Sequence, residues 1–369
     1  MILKAEQSSW KMFRGNAMRT GISSSTLSAK PSLKWVIELG PMISSPIIDN
    51  GIVYAATTTG RIFALKISQR EEKWHTNIGS PIISSPLIEQ DLLICATFNT
   101  WVNEKIFPSR NHIVALDVNT GEIAWQFRTN GDVFSSPCLA NDIVIVGSLD
   151  KYIYAIDMHG DVKWRVETQG EVWSSPSFNG NELFVGSDDG FLYCLNSDDG
   201  GLQWKTKLDG KIRSSSPCLS HDGLIFIGTH NGSIYCLKQS DGLIMWDKHL
   251  TKPFLASPAV LENRVFFASS DRKIYCICCN SGSKIWDFES GDRIWSSPVI
   301  TPKDETLFFA SLDSHIYGLD IRKGNQLWKF PTMDLIDSSP SIGDNMLFVG
   351  ARDGLLYAFG QPETISYIR

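Results

Sequence analysis

Eight times along this 369-residue chain a tryptophan is followed 11 to 13 residues later by a proline. The tryptophans are Trp35, Trp74, Trp125, Trp164, Trp204, Trp246, Trp286 and Trp328; the prolines are Pro46, Pro86, Pro137, Pro176, Pro217, Pro258, Pro298 and Pro340. Seven of the prolines close a Ser-Ser-Pro, and Pro258 closes Ala-Ser-Pro. A period of about 40 residues built from strand-like segments predicts a closed array of small sheets, an all-β, eight-bladed β-propeller.

The third repeat shows the unit most plainly. Ser135 to Leu139 reads as a first strand (A), Asp142 to Ser148 as a second (B), Tyr152 to Asp157 as a third (C) and Val162 to Val166 as a fourth (D). Short segments rich in β-branched and aromatic residues, bounded by Gly, Asp and Asn, describe a four-stranded antiparallel meander. Proline has no N–H for a sheet ladder, so Pro137 belongs near a strand start or an unpaired edge.

The C to D segment is more specific. Ala115-Leu116-Asp117-Val118-Asn119-Thr120-Gly121-Glu122-Ile123-Ala124-Trp125 places Ala, Asp, Thr-Gly and Trp at offsets that other repeats share in part. Gly121 suits a turn position with positive φ, and Asp117 can accept turn amides. The tryptophan can then lie flat between blades, where each buried indole contributes on the order of several kcal/mol. This segment resembles the tryptophan-docking motif of the pyrroloquinoline-quinone-like (PQQ-like) propeller repeat. The Ser-Ser-Pro starts and the N-terminal Trp10-Lys11-Met12-Phe13-Arg14-Gly15-Asn16, followed by Arg19-Thr20-Gly21, resemble that family too. The resemblance spans residues 10–360 and implies the fold. It leaves function open, because the family includes quinoprotein dehydrogenases, an outer-membrane barrel-assembly lipoprotein and propellers attached to adenylate-forming enzymes.

The last repeat runs out after three strands, near Ser338–Ile342, Met346–Ala351 and Leu355–Phe359, with no tryptophan segment of its own. Ser32 to Glu38 supplies the missing strand from the other end, so the last blade is expected to be closed by an N-terminal strand. Residues 1–31 then form an arm packing on the propeller, and residues 32–369 one propeller domain.

With net charge −6 and a pI of about 5.7, the chain lacks the basic excess that nucleic acid or an anionic membrane would demand. No stretch approaches a membrane span, and the first residues have no apolar run of secretory type. Taken as the natural start, Met1 implies a cytoplasmic protein with reduced cysteines; were it not, a periplasmic one. A monomer is expected.

Cys276-Ile277-Cys278-Cys279 contains one C-x-x-C spacing and one vicinal pair, which the family resemblance connects with the disulfide that quinoprotein alcohol dehydrogenases set against their quinone. Register opposes that role. Cys276 stands where Ala115 and Ala155 stand, as do Cys194 and Cys236, and so reads as a small apolar residue under a tryptophan. Cys278 and Cys279 fall toward the C–D turn, away from the usual quinone pocket. The Asp-bearing B–C turns (Asp188-Asp189-Gly190, Asp271-Arg272-Lys273, Asp353-Gly354) read as turn chemistry instead of calcium loops. No nucleotide, nucleophile or haem motif is present. No metal is expected and no cofactor: PQQ with calcium is disfavoured.

What the repeats do not share points elsewhere. The residues just before the Ser-Ser-Pro triplets are Ile43, Ile83, Phe134, Trp173, Ser214, Leu255, Trp295 and Asp337, with Asp132, Glu171, Lys211, Arg213 and Arg293 close upstream. These loops and the B–C loops ring one mouth of the central channel, where a rigid scaffold presents variable residues. Trp173 and Trp295 either line a site or plug the channel. Arg213 and Arg293 are candidates for an anionic group, or for pairing with Glu171 and Asp132. An insertion at residues 99–110 carries Trp101, Ile106 and Phe107 and extends a B–C loop toward the same face. The candidate binding residues are thus Trp173, Trp295, Phe134, Arg213, Arg293, Asp132, Glu171, Asp337, Trp101 and Phe107. They imply a binding or scaffold protein that engages a protein partner or small ligand there; the alternatives are an enzyme with its pocket at the channel mouth, or an envelope assembly factor.

Overall fold

The computed structural model describes residues 9–42, 44–98, 112–250 and 252–362. Eight four-stranded antiparallel sheets make the eight blades. In blade 3 the strands are Cys138–Ala140, Ile143–Gly147, Tyr152–Asp157 and Val162–Glu167. In blade 8, Ser341–Gly343, Met346–Gly350 and Leu355–Gly360 are completed by Ser32–Glu38, which pairs antiparallel with Leu355–Gly360. The ring is closed by its own N-terminal strand, as the truncated last repeat requires.

Burial follows strand position. Strand B is buried over four successive residues in blade after blade, because both its faces meet neighbouring blades. Strand D, on the outside, alternates between exposed and half-buried residues, as in Leu202–Lys207 and Ile244–His249. Opposite each tryptophan across the C–D ladder lies a small residue: Ala115 faces Trp125, Cys194 faces Trp204, Cys236 faces Trp246, Cys276 faces Trp286 and Gly318 faces Trp328. The strand cysteines are therefore spacers, and burial pushes the Cys276 thiol up to about 12.

Six of the eight indoles also reach the next blade. Nε1 of Trp74 donates to the Val118 carbonyl (3.0 Å), Trp125 to Met158 (2.8 Å) and Trp164 to Ser197 (3.0 Å). The turn glycine lies against the ring: a Cβ on Gly121, whose φ is +76°, would stand 2.6 Å from Trp74. Only glycine meets both demands.

The Ser-Ser-Pro triplet stands ahead of strand A, whose two or three residues begin after the proline, because the two serines bond elsewhere. The first usually bonds strand B of its own blade: Ser44 Oγ donates to the Ala56 carbonyl (2.8 Å), and Ser84 Oγ to that of Ala96 (2.9 Å), whereas Ser174 Oγ donates to the Ser215 carbonyl of the next blade (2.9 Å). The second bonds the next blade. The amide N–H of Ser45 donates to Ser85 Oγ, Ser85 to Ser136, Ser136 to Ser175, Ser216 to Ser257, Ser257 to Ser297, Ser297 to Ser339, and Ser339 back to Ser45, all at 2.8–3.1 Å. Seven links of a possible eight encircle the channel.

Beneath this ring the N-terminal segment winds round the channel. At the second residue after the proline, the amides of Ile48, Ile88, Phe178, Leu219, Val260 and Ile300 donate in turn to the carbonyls of Trp10, Lys11, Ala17, Met18, Thr20 and Gly21. Two fully buried arginines fix it from within. Arg19 donates to the carbonyls of Pro176 (3.0 Å), Phe13 (2.5 Å), Ser136 (3.2 Å) and Pro137 (2.9 Å), and Arg14 to those of Pro258 (3.0 Å) and Pro298. Burial lowers the Arg14 pKa to about 10, which leaves it charged at neutral pH. The channel is closed at this end.

Candidate functional site

Above the serine ring the channel opens into a cup of about 470 Å³. Its floor is Phe13 from the N-terminal segment together with Ser45, Ser85, Ser136, Ser175, Ser297 and Ser339. Its wall comes from the residues just before the serines: Ile83, Phe134, Trp173, Leu255, Trp295 and Asp337, joined by Arg213, Ser214, His230 and Arg352. Buried neighbours such as Val133, Val172 and Ile294 hold these wall residues, since the loop apolar side chains pack under the blades. Of the residues singled out in the sequence, Phe134, Trp173, Arg213, Trp295 and Asp337 come together here.

Trp173 is held on every side. Phe134 stacks on it at 4.3 Å and 28°, the Arg213 guanidinium lies 4.6 Å from its ring, and its Nε1 donates to Glu171 Oε2 at 2.9 Å. Trp295 stands three blades away with the Arg293 guanidinium 5.3 Å from its ring, while its Nε1 is buried with no partner among the described residues.

The charges pair only in part as the sequence suggests. Arg213 grips Asp188 of the neighbouring B–C turn through Nε (3.3 Å) and Nη2, with Glu171 more distant at 3.8 Å; Lys211 adds a 3.1 Å contact to Asp188. These bonds raise the Arg213 pKa. Arg293 is half-exposed and pairs with Asp292 (3.5 Å), not with Asp132. Asp132 is buried below the rim, where its carbonyl accepts the Leu149 amide (2.9 Å). Asp337 takes a two-pronged bond from Arg352, at 2.8 and 2.5 Å. Glu171, Asp132 and Arg293 support the rim without lining the cup. Trp101 and Phe107, like the rest of residues 99–110 and Ile43, lie outside the described residues.

One register needs correction. Ile212, whose amide bonds the Ser187 carbonyl as that of Val172 bonds Ser148, is the counterpart of Val172. Arg213 thus occupies the position of Trp173 and Trp295, and Ser214 is an extra residue, with φ +62° and the Ser215 amide turned back onto the Arg213 carbonyl (2.7 Å). The same insertion breaks the serine ring: Ser216 Oγ is buried without a partner among the described residues where the Ser175 amide would have donated. The clue in the sequence is the 13-residue interval from Trp204 to Pro217, one more than in its neighbours. His230 and Arg352 escaped notice because each is a single residue in a B–C turn. Burial, followed by the nearby Arg213 charge, lowers the His230 pKa.

The turn aspartates behave as structure. Asp150, Asp189, Asp271 and Asp353 each accept the hydroxyl of a tyrosine four residues on, at 2.6–2.8 Å. Among the described residues no cluster of three or more His, Cys, Asp or Glu is placed to hold a metal ion. Cys278 ends strand C of blade 6 and Cys279 follows it, both away from the cup lining.

Residues 106–342 match the family described as the β-propeller of beta-alanine-activating enzyme, and residues 10–148 match outer membrane protein assembly factor BamB. No curated protein matches the sequence. Among solved structures, BamB from Moraxella catarrhalis superposes with a TM-score of 0.77 at 16% identity, over 89% of this chain and 99% of that one. Quinohemoprotein alcohol dehydrogenase from Comamonas testosteroni gives 0.78 at 14%, over 98% and 82%. The computationally designed Ika8 protein gives 0.75 at 15%, over 91% and 100%. At these identities the likeness is one of fold.

Proposed function

The chain is a PQQ-like propeller that belongs to the β-propeller family of beta-alanine-activating enzyme, and from that premise we propose that it is a binding module whose cup receives a small ligand or a partner's side chain. The observation that carries this reading is the cup itself. It is blind-ended, walled by aromatic and apolar residues, and edged by a few fixed charges, which is the composition of a ligand site. A family described by the propeller of an activating enzyme is in keeping with binding beside a catalytic unit. The residues do not suit a calcium-bound quinone: the carboxylates of Asp337 and Asp188 are taken up by Arg352 and Arg213, and the vicinal thiols lie elsewhere.

The test is binding of the fluorescent probe anilinonaphthalene sulfonate to the full chain. The reading predicts one saturable site that Trp295→Ala removes while the melting temperature stays nearly unchanged, because the indole N–H of Trp295 has no partner among the described residues. Loss of stability with no bound probe in either protein would make Trp295 channel filler.

A further inference from the structure

Most of the cup's unmet hydrogen-bonding capacity is of one kind, the exception being His230 Nδ1, which lines the cup without a partner among the described residues and can donate or accept by tautomer. Six serine hydroxyls of the floor each accept an amide N–H from the preceding blade, and a hydroxyl that accepts one bond keeps its own proton to donate. Those six serines keep 2–7% exposure, whereas Ser216 and Ser257, which do not line the cup, have none. Trp295 Nε1, a donor only, is buried without a partner among the described residues. Arg213 and Arg352 line the cup as well, and each ion pair engages only Nε and Nη2 of a guanidinium that has five N–H donors. The carboxylates, by contrast, are already engaged: Asp337 by Arg352, Asp188 by Arg213 and Lys211, Glu171 by the Trp173 indole. The balance of free groups in this site favours a ligand that brings acceptors.

We propose, resting on the binding reading above, that the cup selects an organic acid with a single carboxylate seated toward the serine floor and an apolar or aromatic body against Trp295 and the Phe134–Trp173 pair. The acid can come from a free small molecule or from the C-terminal carboxylate of a partner chain that ends in an aromatic residue. No metal takes part, since the donors of the cup suffice.

Calorimetric titration of the full chain with 3-phenylpropanoate, 3-phenylpropanamide and phenethylamine tests the selection. The acid is expected to bind at least tenfold more tightly than the amide and the amine, with no change on adding a chelator. Acetyl-Gly-Phe with a free carboxylate, against its C-terminal amide, separates the two sources: tighter binding than 3-phenylpropanoate identifies a chain terminus, weaker binding a free acid. Trp295→Phe keeps the ring and removes the donor, so it should weaken the acid about tenfold, leave the amine unchanged and leave the melting temperature unchanged. Equal binding of acid, amide and amine, a chelator-sensitive acid, or an unaffected Trp295→Phe protein overturns the acid selection while the cup remains a binding site. Absence of binding by these compounds and by the fluorescent probe overturns both.

Discussion

Deleting Ser214 should stabilise this protein, an uncommon expectation for a deletion beside a candidate site. The residue is an insertion between the wall position and the Ser-Ser-Pro of its blade, and it stands at φ +62° without being glycine. That backbone conformation costs a side-chain-bearing residue about 1 kcal/mol. Its presence also leaves Ser216 Oγ buried and unpartnered among the described residues. Restoring the link from the Ser175 amide is worth about 1 kcal/mol more. The sum is about 2 kcal/mol. For 369 residues, an unfolding entropy of ~2 cal/mol/K per residue turns this into a rise of roughly 2–3 °C in melting temperature. Ser214→Gly separates the two contributions: it relieves the dihedral, gives some of that back as unfolded-state entropy, and leaves the ring open. It should gain less than half as much. Scanning calorimetry of the three proteins reads both shifts. A lower melting temperature for the deletion, or equal gains for the two variants, would refute the reading of Ser214 as an insertion that breaks the ring.

Two further outcomes follow from the same geometry. Gly180 has φ +65° with open space around the position a Cβ would take, whereas a Cβ on Gly121 meets the Trp74 ring at 2.6 Å. Gly180→Ala should therefore cost about 1 kcal/mol and Gly121→Ala about 3 kcal/mol in urea unfolding, and equal costs would mean the turn glycines answer to dihedral alone. His230 has its pKa held below 6.5 by burial and by Arg213, so the unfolded chain takes up this proton first as pH falls. Its contribution is complete above 6.5 and is lost below it, toward the folded value; melting temperatures of the wild type and His230→Asn should diverge in that window, and parallel curves would exclude it.

Most of the scaffold is readable in the sequence because it is repetitive. Trp, Gly and Ser-Ser-Pro recur where a blade must touch its neighbour, and the missing strand after Phe359 finds its partner at Ser32–Glu38. Trp173 and Trp295 stand out for the opposite reason: they recur nowhere else at their position. The pairing of charges could not be read this way. Arg213 chose Asp188, which looks like any turn aspartate in sequence, over Glu171, and the winding of residues 10–22 round the channel depends on backbone bonds that no side-chain pattern records. The shift of Arg213 into the position assigned to Ser214 turned on a single extra residue.

The central claim is that the cup is a preformed binding site whose wall includes Trp173 and Trp295, distinct from the eight tryptophans of the outer strands. Fluorine NMR of the 5-fluorotryptophan-labelled protein, with resonances assigned by single Trp→Phe changes, tests this directly as 3-phenylpropanoate is added. The resonances of Trp173 and Trp295 should move together and saturate while those of Trp74, Trp125 and Trp164 stay fixed. Movement of the inter-blade tryptophans, with Trp173 and Trp295 silent, would contradict it.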